Sequence, residues 1–217
     1  QEPITFKKIK YILLFILFFE ERINNKFISI IIYYNIIMKN DLHYNKNDEL
    51  YTPRYMIEPI IKYLKKDSVI WCPFDKIKSE FVLVLKEHGF KVIYSHIDEG
   101  KDFLNYEPRE KYDYIISNSP FSIKLKVLKR LYELNKPFMI IFGLPILNYQ
   151  IIGNFFLDKD LQLLIFDKKV SYDGNTASFN TSYFCRNVLP RDIIFHSLPH
   201  NNTKDNFIPS RMHEGDD

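Results

Sequence analysis

Short apolar segments alternate with amphipathic segments along the middle of this 217-residue chain, and this alternation constrains the fold more than any other feature. Four apolar segments predict buried strands, at residues 68–72, 90–96, 112–117 and 137–143. Helical spacing of apolar residues predicts helices at residues 50–64, 76–88, 123–134 and 146–157. Strands that alternate with helices form a parallel sheet with right-handed crossovers.

The C-terminal part of the chain has a different pattern, in which strand-like segments follow one another without helices. These segments are residues 161–166, 178–186 and 193–198, and Asp173-Gly174 predicts a turn between the first two. We therefore predict an α/β fold with a Rossmann-like sheet that is mostly parallel and has an antiparallel C-terminal edge. Residues 201–217 form a polar tail.

The first 37 residues differ from the rest. Two apolar runs, residues 11–19 and 27–38, flank a polar stretch, and each run is shorter than the ~20 residues that span a bilayer. One interpretation is a helical leader that touches a membrane. The other, which we favour, is upstream A/T-rich sequence that is not translated, with Met38 as the start. The strong bias towards Tyr and Phe and the single alanine, Ala177, support the second interpretation. We expect one domain at residues 38–200.

Charge and cysteine content exclude little. The net charge of +3 is compatible with a nucleic-acid partner but does not identify one. The two cysteines, Cys72 and Cys185, cannot form a disulfide framework, and neither they nor the histidines have zinc-site spacing. We therefore expect a cytoplasmic protein without a metal and, unless the N-terminal segment is a true leader, without a membrane.

Polar residues follow the predicted strands, at the ends where open α/β sheets bind ligands. The first strand is followed by Cys72-Pro73-Phe74-Asp75, and Ser79 leads into the next helix. The second is followed by Ser95-His96 and, shortly after, by Asp102-Phe103. The third leads into Asn118-Ser119-Pro120-Phe121, which also opens a helix.

This last motif resembles the Asn-Pro-Pro-Phe/Tyr motif of the class I S-adenosylmethionine-dependent amino-methyltransferases. More narrowly, residues 48–198 resemble small phage and prophage proteins of the adenine-N6 DNA methyltransferase type. The resemblance also rests on residues 48–53, on residues 71–75 with Ser79, and on residues 182–185. Some relatives carry the label sugar-phosphate nucleotidyltransferase, which the absence of a Gly-rich nucleotide loop in this sequence does not support.

The resemblance implies methyl transfer from S-adenosylmethionine to the exocyclic amine of adenine in DNA. The side-chain oxygen of Asn118 and the backbone carbonyl of Ser119 would accept hydrogen bonds from the amine, Pro120 would stiffen the loop, and Phe121 would stack on a flipped base. Ser119 departs from the family, which usually has proline there. An ordinary turn at the end of a strand is the alternative interpretation.

The resemblance also implies a cofactor site. Tyr51, Thr52 and Pro53 would pack at the methionine end of the cofactor, and Asp75, with Pro73 and Ser79 in the same loop, would meet its amino group. His96 would lie at the ribose, and Asp102 and Phe103 at the adenine. The loop after the first strand contains no glycine, unlike that of many class I enzymes. The alternatives are a helix N-cap for Asp75, a surface position for His96 and a core position for Phe103.

Three further residues are candidates for substrate contact. Lys124 begins a Lys/Arg-rich helix that could meet phosphates, although a solvated helix face is the interpretation that we favour. Phe179 and Tyr183 could line a base pocket or belong to the core. Other functions stay open: RNA or glutamine as the methyl acceptor, or a module of this fold that has lost catalysis and binds nucleic acid or protein.

Overall fold

The structure, a computed structural model, describes residues 52–172, 175–176 and 180–199 of the chain. These residues belong to one compact unit that spans residues 44–217. The segment 1–37, Tyr51, Phe179 and the tail 201–217 lie outside the described residues, so the expectations for them stay predictions.

The alternating segments form a seven-stranded sheet. Its strands, in chain order, are β1 (Val69–Cys72), β2 (Lys91–Tyr94), β3 (Tyr114–Asn118), β4 (Phe138–Gly143), β5 (Gln162–Phe166), β8 (Thr181–Arg186) and β9 (Ile193–His196). A separate two-stranded hairpin consists of β6 (Ser171–Tyr172) and β7 (Asn175–Thr176).

The strand order is β2-β1-β3-β4-β8-β5-β9. β1, β2, β3 and β4 pair in parallel, β8 is antiparallel to both β4 and β5, and β9 is parallel to β5. Within the described residues, β8 is thus the one reversed strand of this sheet. The predicted mostly parallel α/β sheet with antiparallel pairing in its C-terminal half is confirmed. The reversed strand is third from the margin, and the marginal strand β9 is parallel to its neighbour.

Four α-helices in the described residues cover the two faces of the sheet. They are α1 (Arg54–Ile57), α2 (Glu80–Glu87), α3 (Lys124–Leu134) and α4 (Gln150–Phe156), with short 3₁₀ turns at Glu58–Tyr63, Ile97–Glu99, Phe121–Ile123 and Leu144–Asn148. Gly89, just past α2, has a φ of 86°, the left-handed conformation that glycine adopts without strain.

The helix predicted at residues 50–64 is shorter than expected, because it contains Pro59. The α-helical part ends at Ile57, and Pro59 is in the first turn of the 3₁₀ helix Glu58–Tyr63 that follows. A proline inside an α-helix has no N–H to donate, and its ring clashes with the carbonyl four residues earlier. The change from α to 3₁₀ geometry avoids both costs.

Side chains alternate between two cores along the strands. On one face, α1, the 3₁₀ turn Glu58–Tyr63 and α2 pack on residues such as Ile70, Ile116 and Tyr183. On the other, α3 and α4 pack on residues that include Trp71 and Phe138. The two layers cover both faces of the sheet and leave the edge at the carboxyl ends of β1, β2 and β3 for the site. In the described part of the chain, no helix is long and apolar enough to cross a membrane.

Two tyrosine hydroxyls connect α1 to the C-terminal half of the chain. The Tyr183 hydroxyl donates to the carbonyl oxygen of Met56 at 3.1 Å. The Tyr55 hydroxyl lies 3.1 Å from both the carbonyl oxygen and the backbone nitrogen of Ser171, accepting from the latter. The β6–β7 hairpin is thereby tied to the N-terminal layer.

Candidate active site

The loops that follow β1, β2 and β3 converge on one cleft at the carboxyl edge of the sheet. The empty space in this cleft is about 270 Å³ when the open mouth is counted. The residues that line it include Pro73, Phe74, His96, Asp102, Phe103 and Pro120. The structure therefore brings together four of the predicted cofactor residues and one residue of the predicted catalytic motif.

Asp75 is buried in the loop that follows β1, next to the cleft residues Pro73 and Phe74, and has no cationic partner among the described residues. Its side chain is only 7% exposed. Burial raises the pKa of its carboxyl to about 7, although hydrogen bonds from the side chains of Ser117 and Ser79 lower it. Among the described ranges of the chain, no lysine, arginine or histidine forms an ion pair with Asp75. A buried carboxyl of this kind is suited to receive a cationic group from a ligand.

The loop that carries Asp75 is held in shape without glycine. The Asp75 backbone N–H donates to the carbonyl of Ser95 at 3.2 Å, and the Lys76 N–H donates to Ser79 Oγ at 2.9 Å. Ser79 stands at the N-cap position of α2, but its side chain makes no capping hydrogen bond to the helix. Its hydroxyl instead accepts a hydrogen bond from the Lys76 N–H and forms another with the Asp75 carboxyl, so Ser79 fixes both the loop and the carboxyl.

Trp71 anchors an aromatic wall under the cleft. Its Nε1–H donates to Ser95 Oγ at 3.0 Å, which fixes the second loop to the first strand. The ring centroid of Phe103 lies 5.4 Å from that of Trp71 and 5.0 Å from that of Phe74. Phe103 is 1% exposed, so it is both a core residue and part of the cleft lining. The two interpretations of Phe103 are therefore compatible.

The second loop presents two polar residues that shape it. His96 is buried rather than on the surface, and its Nδ1 accepts a hydrogen bond from the Asp98 N–H at 3.2 Å. Asp102 accepts from the Leu104 N–H at 3.0 Å, which forms a tight turn around Phe103. Both residues line the cleft, and both also hold the backbone of the loop that encloses it.

The motif Asn118-Ser119-Pro120-Phe121 lies where β3 ends. Asn118 is the last residue of the strand and is half-buried, and Pro120 precedes the 3₁₀ turn Phe121–Ile123. Phe121 is half-buried against the core under α3. The Ser119 hydroxyl is buried, and no described group forms a hydrogen bond with it. The motif thus faces the same edge of the sheet as Asp75, and Ser117, one residue before it, hydrogen-bonds with that carboxyl.

Lys124 lies beside an aromatic residue that sequence analysis missed. Its Nζ is 3.5 Å from the carbonyl oxygen of Phe121 and 5.5 Å from the ring centroid of Tyr149. Tyr149 follows the 3₁₀ turn that begins beyond β4, and it is 50% exposed. The exposure of Tyr149 and its approach to Lys124 depend on packing, so no local sequence signal identified it. Together the two residues form a cationic and aromatic surface next to the motif.

Other predicted residues lie elsewhere. Tyr183 is fully buried, and its ring packs edge-on against Phe81 and Phe166, which favours the core interpretation over a substrate contact. Thr52 and Pro53 precede α1 and are not among the residues that line the cleft. Of the basic residues on α3, Arg130 pairs with Glu107 and Glu133. In the parts of the chain that the structure describes, no cluster of His, Cys, Asp or Glu is arranged to hold a metal ion.

Comparisons with known proteins add a fold likeness. No protein-family model matches the sequence, and no curated protein matches it. Among solved structures, the chain is similar to a Listeria monocytogenes protein described as a candidate class I S-adenosylmethionine-dependent methyltransferase. The two are 12% identical with a TM-score of 0.40, over 75% of this chain and 70% of the other. At this level of likeness the activity of that protein is not transferred to this chain.

Proposed function

We propose that this protein is an S-adenosylmethionine-dependent methyltransferase that acts on the exocyclic amine of adenine in DNA. One observation carries the proposal: three loops from separate parts of the sequence meet in one cleft, which is lined by Pro73 and Phe74, the residues that precede the buried Asp75, and by Pro120 of the motif. In the proposal, the cofactor occupies this cleft and the planar amine lies next to it at the motif.

The cleft residues fit the chemical groups of the proposed cofactor. When bound, S-adenosylmethionine supplies an electrophilic methyl group. Its amino group is a cation, and Asp75 provides a buried carboxyl without a cationic partner in the described residues. The half-buried Phe74, backed by the core ring of Phe103, is the apolar side of the cleft proposed for the adenine ring, and Asp102 offers a carboxyl in the same lining.

The motif residues suit the activation of an amine. The exocyclic nitrogen of adenine is a weak nucleophile, because its lone pair is delocalised into the ring. In the proposal, the Asn118 side-chain oxygen and the Ser119 carbonyl accept hydrogen bonds from its two N–H groups, which increases the nucleophilicity of the nitrogen. Holding the amine in line with the methyl group supplies most of the remaining rate enhancement. The base must leave the duplex to reach this position.

The surface of Lys124 and Tyr149 suits the nucleic acid. A lysine next to the motif can neutralise a phosphate, and an exposed aromatic ring can stack on a base that has left the duplex. Stacking on an aromatic side chain is tolerant of sequence. We therefore propose that this surface holds the strand and that the motif selects the adenine.

The proposal is tested by transfer of a labelled methyl group from the cofactor to defined oligonucleotides. The purified protein is expected to label adenine-containing DNA and not a matched oligonucleotide without adenine. Asn118→Ala should lower transfer by about 100-fold or more, in line with the loss of a preorganised catalytic group, and leave cofactor binding intact. Asn154→Ala, an exposed asparagine on α4, is the matched control and should leave transfer unchanged.

The results also separate other acceptors. Labelling of RNA alone would replace DNA as the proposed substrate. Unchanged transfer in Asn118→Ala would refute the role of that residue.

A second candidate function is a binding module of this fold without catalysis. The observation that favours it is Ser119, whose buried hydroxyl occupies the position where the resembling family has a rigid proline. A calorimetric titration with S-adenosylmethionine distinguishes the two functions. Saturable binding together with transfer supports the enzyme, whereas binding of DNA without either supports the module.

A further inference from the structure

Asp75 is held by a serine from the strand that carries the catalytic motif. The Ser117 hydroxyl donates a hydrogen bond to Asp75 Oδ2 across 42 residues of sequence. Ser117 is in β3, next to Asn118, and is fully buried. A buried serine hydroxyl is costly to leave without a hydrogen bond, and here it donates to a buried carboxyl that has no cationic partner in the described residues.

We propose that Ser117 is a positioning residue whose hydrogen bond favours the ionised form of the Asp75 carboxyl, the form that pairs with the amino group of the cofactor. This inference rests on the proposed function, and it adds a residue and a form of control that the motif does not include. Because Ser117 and Asn118 are adjacent, the end of β3 positions both the Asp75 carboxyl, through Ser117, and the proposed acceptor of the amine, Asn118.

The surroundings of Asp75 leave the two serines to stabilise its charge. On β1, the Cys72 thiol lies near Asp75. Burial is the main cause that raises the pKa of Cys72, and the nearby Asp75 carboxylate is the second. From the end of β2, Ser95 contributes a backbone carbonyl, which accepts the Asp75 N–H. From the loop before α2, Ser79 contributes its hydroxyl. In the described ranges, no Lys, Arg, His, Asp or Glu side chain forms a hydrogen bond or an ion pair with Asp75.

This arrangement makes cofactor binding depend on pH in a defined direction. The amino group of the cofactor pairs with the ionised carboxylate, so affinity should rise as pH rises through the pKa of Asp75. It should fall again when the amino group, with an ordinary pKa of about 8, loses its proton. A hydroxyl that donates to a carboxylate stabilises the ionised form. Removal of Ser117 Oγ should therefore raise the pKa of Asp75 and move only the acid side of the profile.

The test is the dissociation constant of S-adenosylhomocysteine, an unreactive analogue with the same amino group, measured by calorimetry from about pH 5.5 to about pH 9. Ser117→Ala is expected to move the acid side upwards by about one pH unit, which is about tenfold weaker binding on that side. Ser117→Thr restores a hydroxyl and should return the profile towards that of the wild type. Ser197→Ala is the control. It removes another serine–aspartate hydrogen bond, the exposed one from Ser197 Oγ to Asp167 Oδ2 at 2.6 Å, which lies at least three strands away from β3 in the sheet, and it should leave the profile unchanged.

A second measurement does not depend on the ligand. Carbon NMR of the aspartate carboxyls gives the pKa of Asp75 directly in the wild-type protein and in Ser117→Ala. A rise in the variant supports the role of Ser117, and equal pKa values would overturn it. Weaker binding by the same factor at every pH would likewise overturn it, because that pattern indicates only structural damage.

Different results would refute the proposed function and the role of Ser117. If the wild-type protein bound neither the analogue nor S-adenosylmethionine at any pH, the proposed function would be refuted. If the wild-type protein bound them with an acid side that Ser117→Ala did not move, only the role of Ser117 would be refuted.

Discussion

Replacing Asp75 with asparagine should stabilise this protein at neutral and alkaline pH while it removes the proposed cofactor contact. The pKa of Asp75 is raised from an ordinary value of 3.8 to about 7, because burial disfavours the ionised form. The folded protein therefore holds this proton more tightly than the unfolded chain. At about 1.4 kcal/mol per pKa unit, the full cost of ionising the buried carboxyl is roughly 4 kcal/mol.

The pH dependence follows from the same difference. Below about pH 4 the carboxyl is protonated in both states, and it contributes no pH-dependent difference. Between about pH 4 and about pH 7 the unfolded chain ionises first, so the contribution of Asp75 to stability falls as pH rises. Above about pH 7 the folded protein carries the whole cost. Asp75→Asn removes it, and we expect a gain of about 2–4 kcal/mol near pH 8 and little change near pH 4.

The assay is urea unfolding followed by the fluorescence of Trp71, the single tryptophan of the chain, which is buried under the cleft. Asp167→Asn serves as a control, because at neutral pH it should lower the stability that Asp75→Asn raises. The hydrogen bond from Ser197 lowers the pKa of the exposed Asp167, so its stabilising contribution is present at neutral pH and lost in acid. A loss of stability in Asp75→Asn near pH 8, or an equal effect at both pH values, would refute the reasoning.

Three further changes test individual contacts. Tyr183→Phe leaves the carbonyl of Met56 without its hydrogen bond and should cost about 1–2 kcal/mol of unfolding free energy; lost methyl transfer at unchanged stability would instead indicate a substrate contact. Ser119→Ala removes a buried hydroxyl that has no partner among the described residues and should raise the free energy of unfolding by about 1 kcal/mol, seen as a higher urea midpoint; a lower midpoint would show that the hydroxyl is satisfied in solution. Arg54→Ala breaks an exposed ion-pair network that includes Glu87 and should cost no more than about 1 kcal/mol, an effect that shrinks at high salt; a cost independent of salt would contradict this electrostatic origin.

The sheet could be predicted from the sequence because its signals are local. Each strand is a short apolar run that ends in a turn residue, and the period of the helices between them is visible in one sequence. The helix at residues 50–64 was too long in the prediction because the effect of Pro59 on α-helical geometry was left out. That signal was present in the sequence.

The site was predictable in part. Residues that directly follow β1, β2 and β3, such as Pro73, His96 and Pro120, meet in the cleft because parallel strands place their carboxyl ends at one edge. The bond between Ser117 and Asp75 depends on how β1 and β3 pair and on the path of a loop, and no local pattern encodes it. Tyr149 was missed for a similar reason: its approach to Lys124 depends on how α3 and the turn after β4 pack.

The tyrosine contacts that tie α1 to the C-terminal half have a consequence for how the chain acquires its structure. Tyr183 bonds to Met56 across 127 residues, and Tyr55 bonds to Ser171 across 116. These contacts of α1 therefore form only after nearly the whole domain has left the ribosome. Contacts of such long range slow folding, because the chain must close large loops before it gains their energy. Until β8 arrives, α1 lacks these contacts, and a partly folded chain of this kind is prone to aggregation.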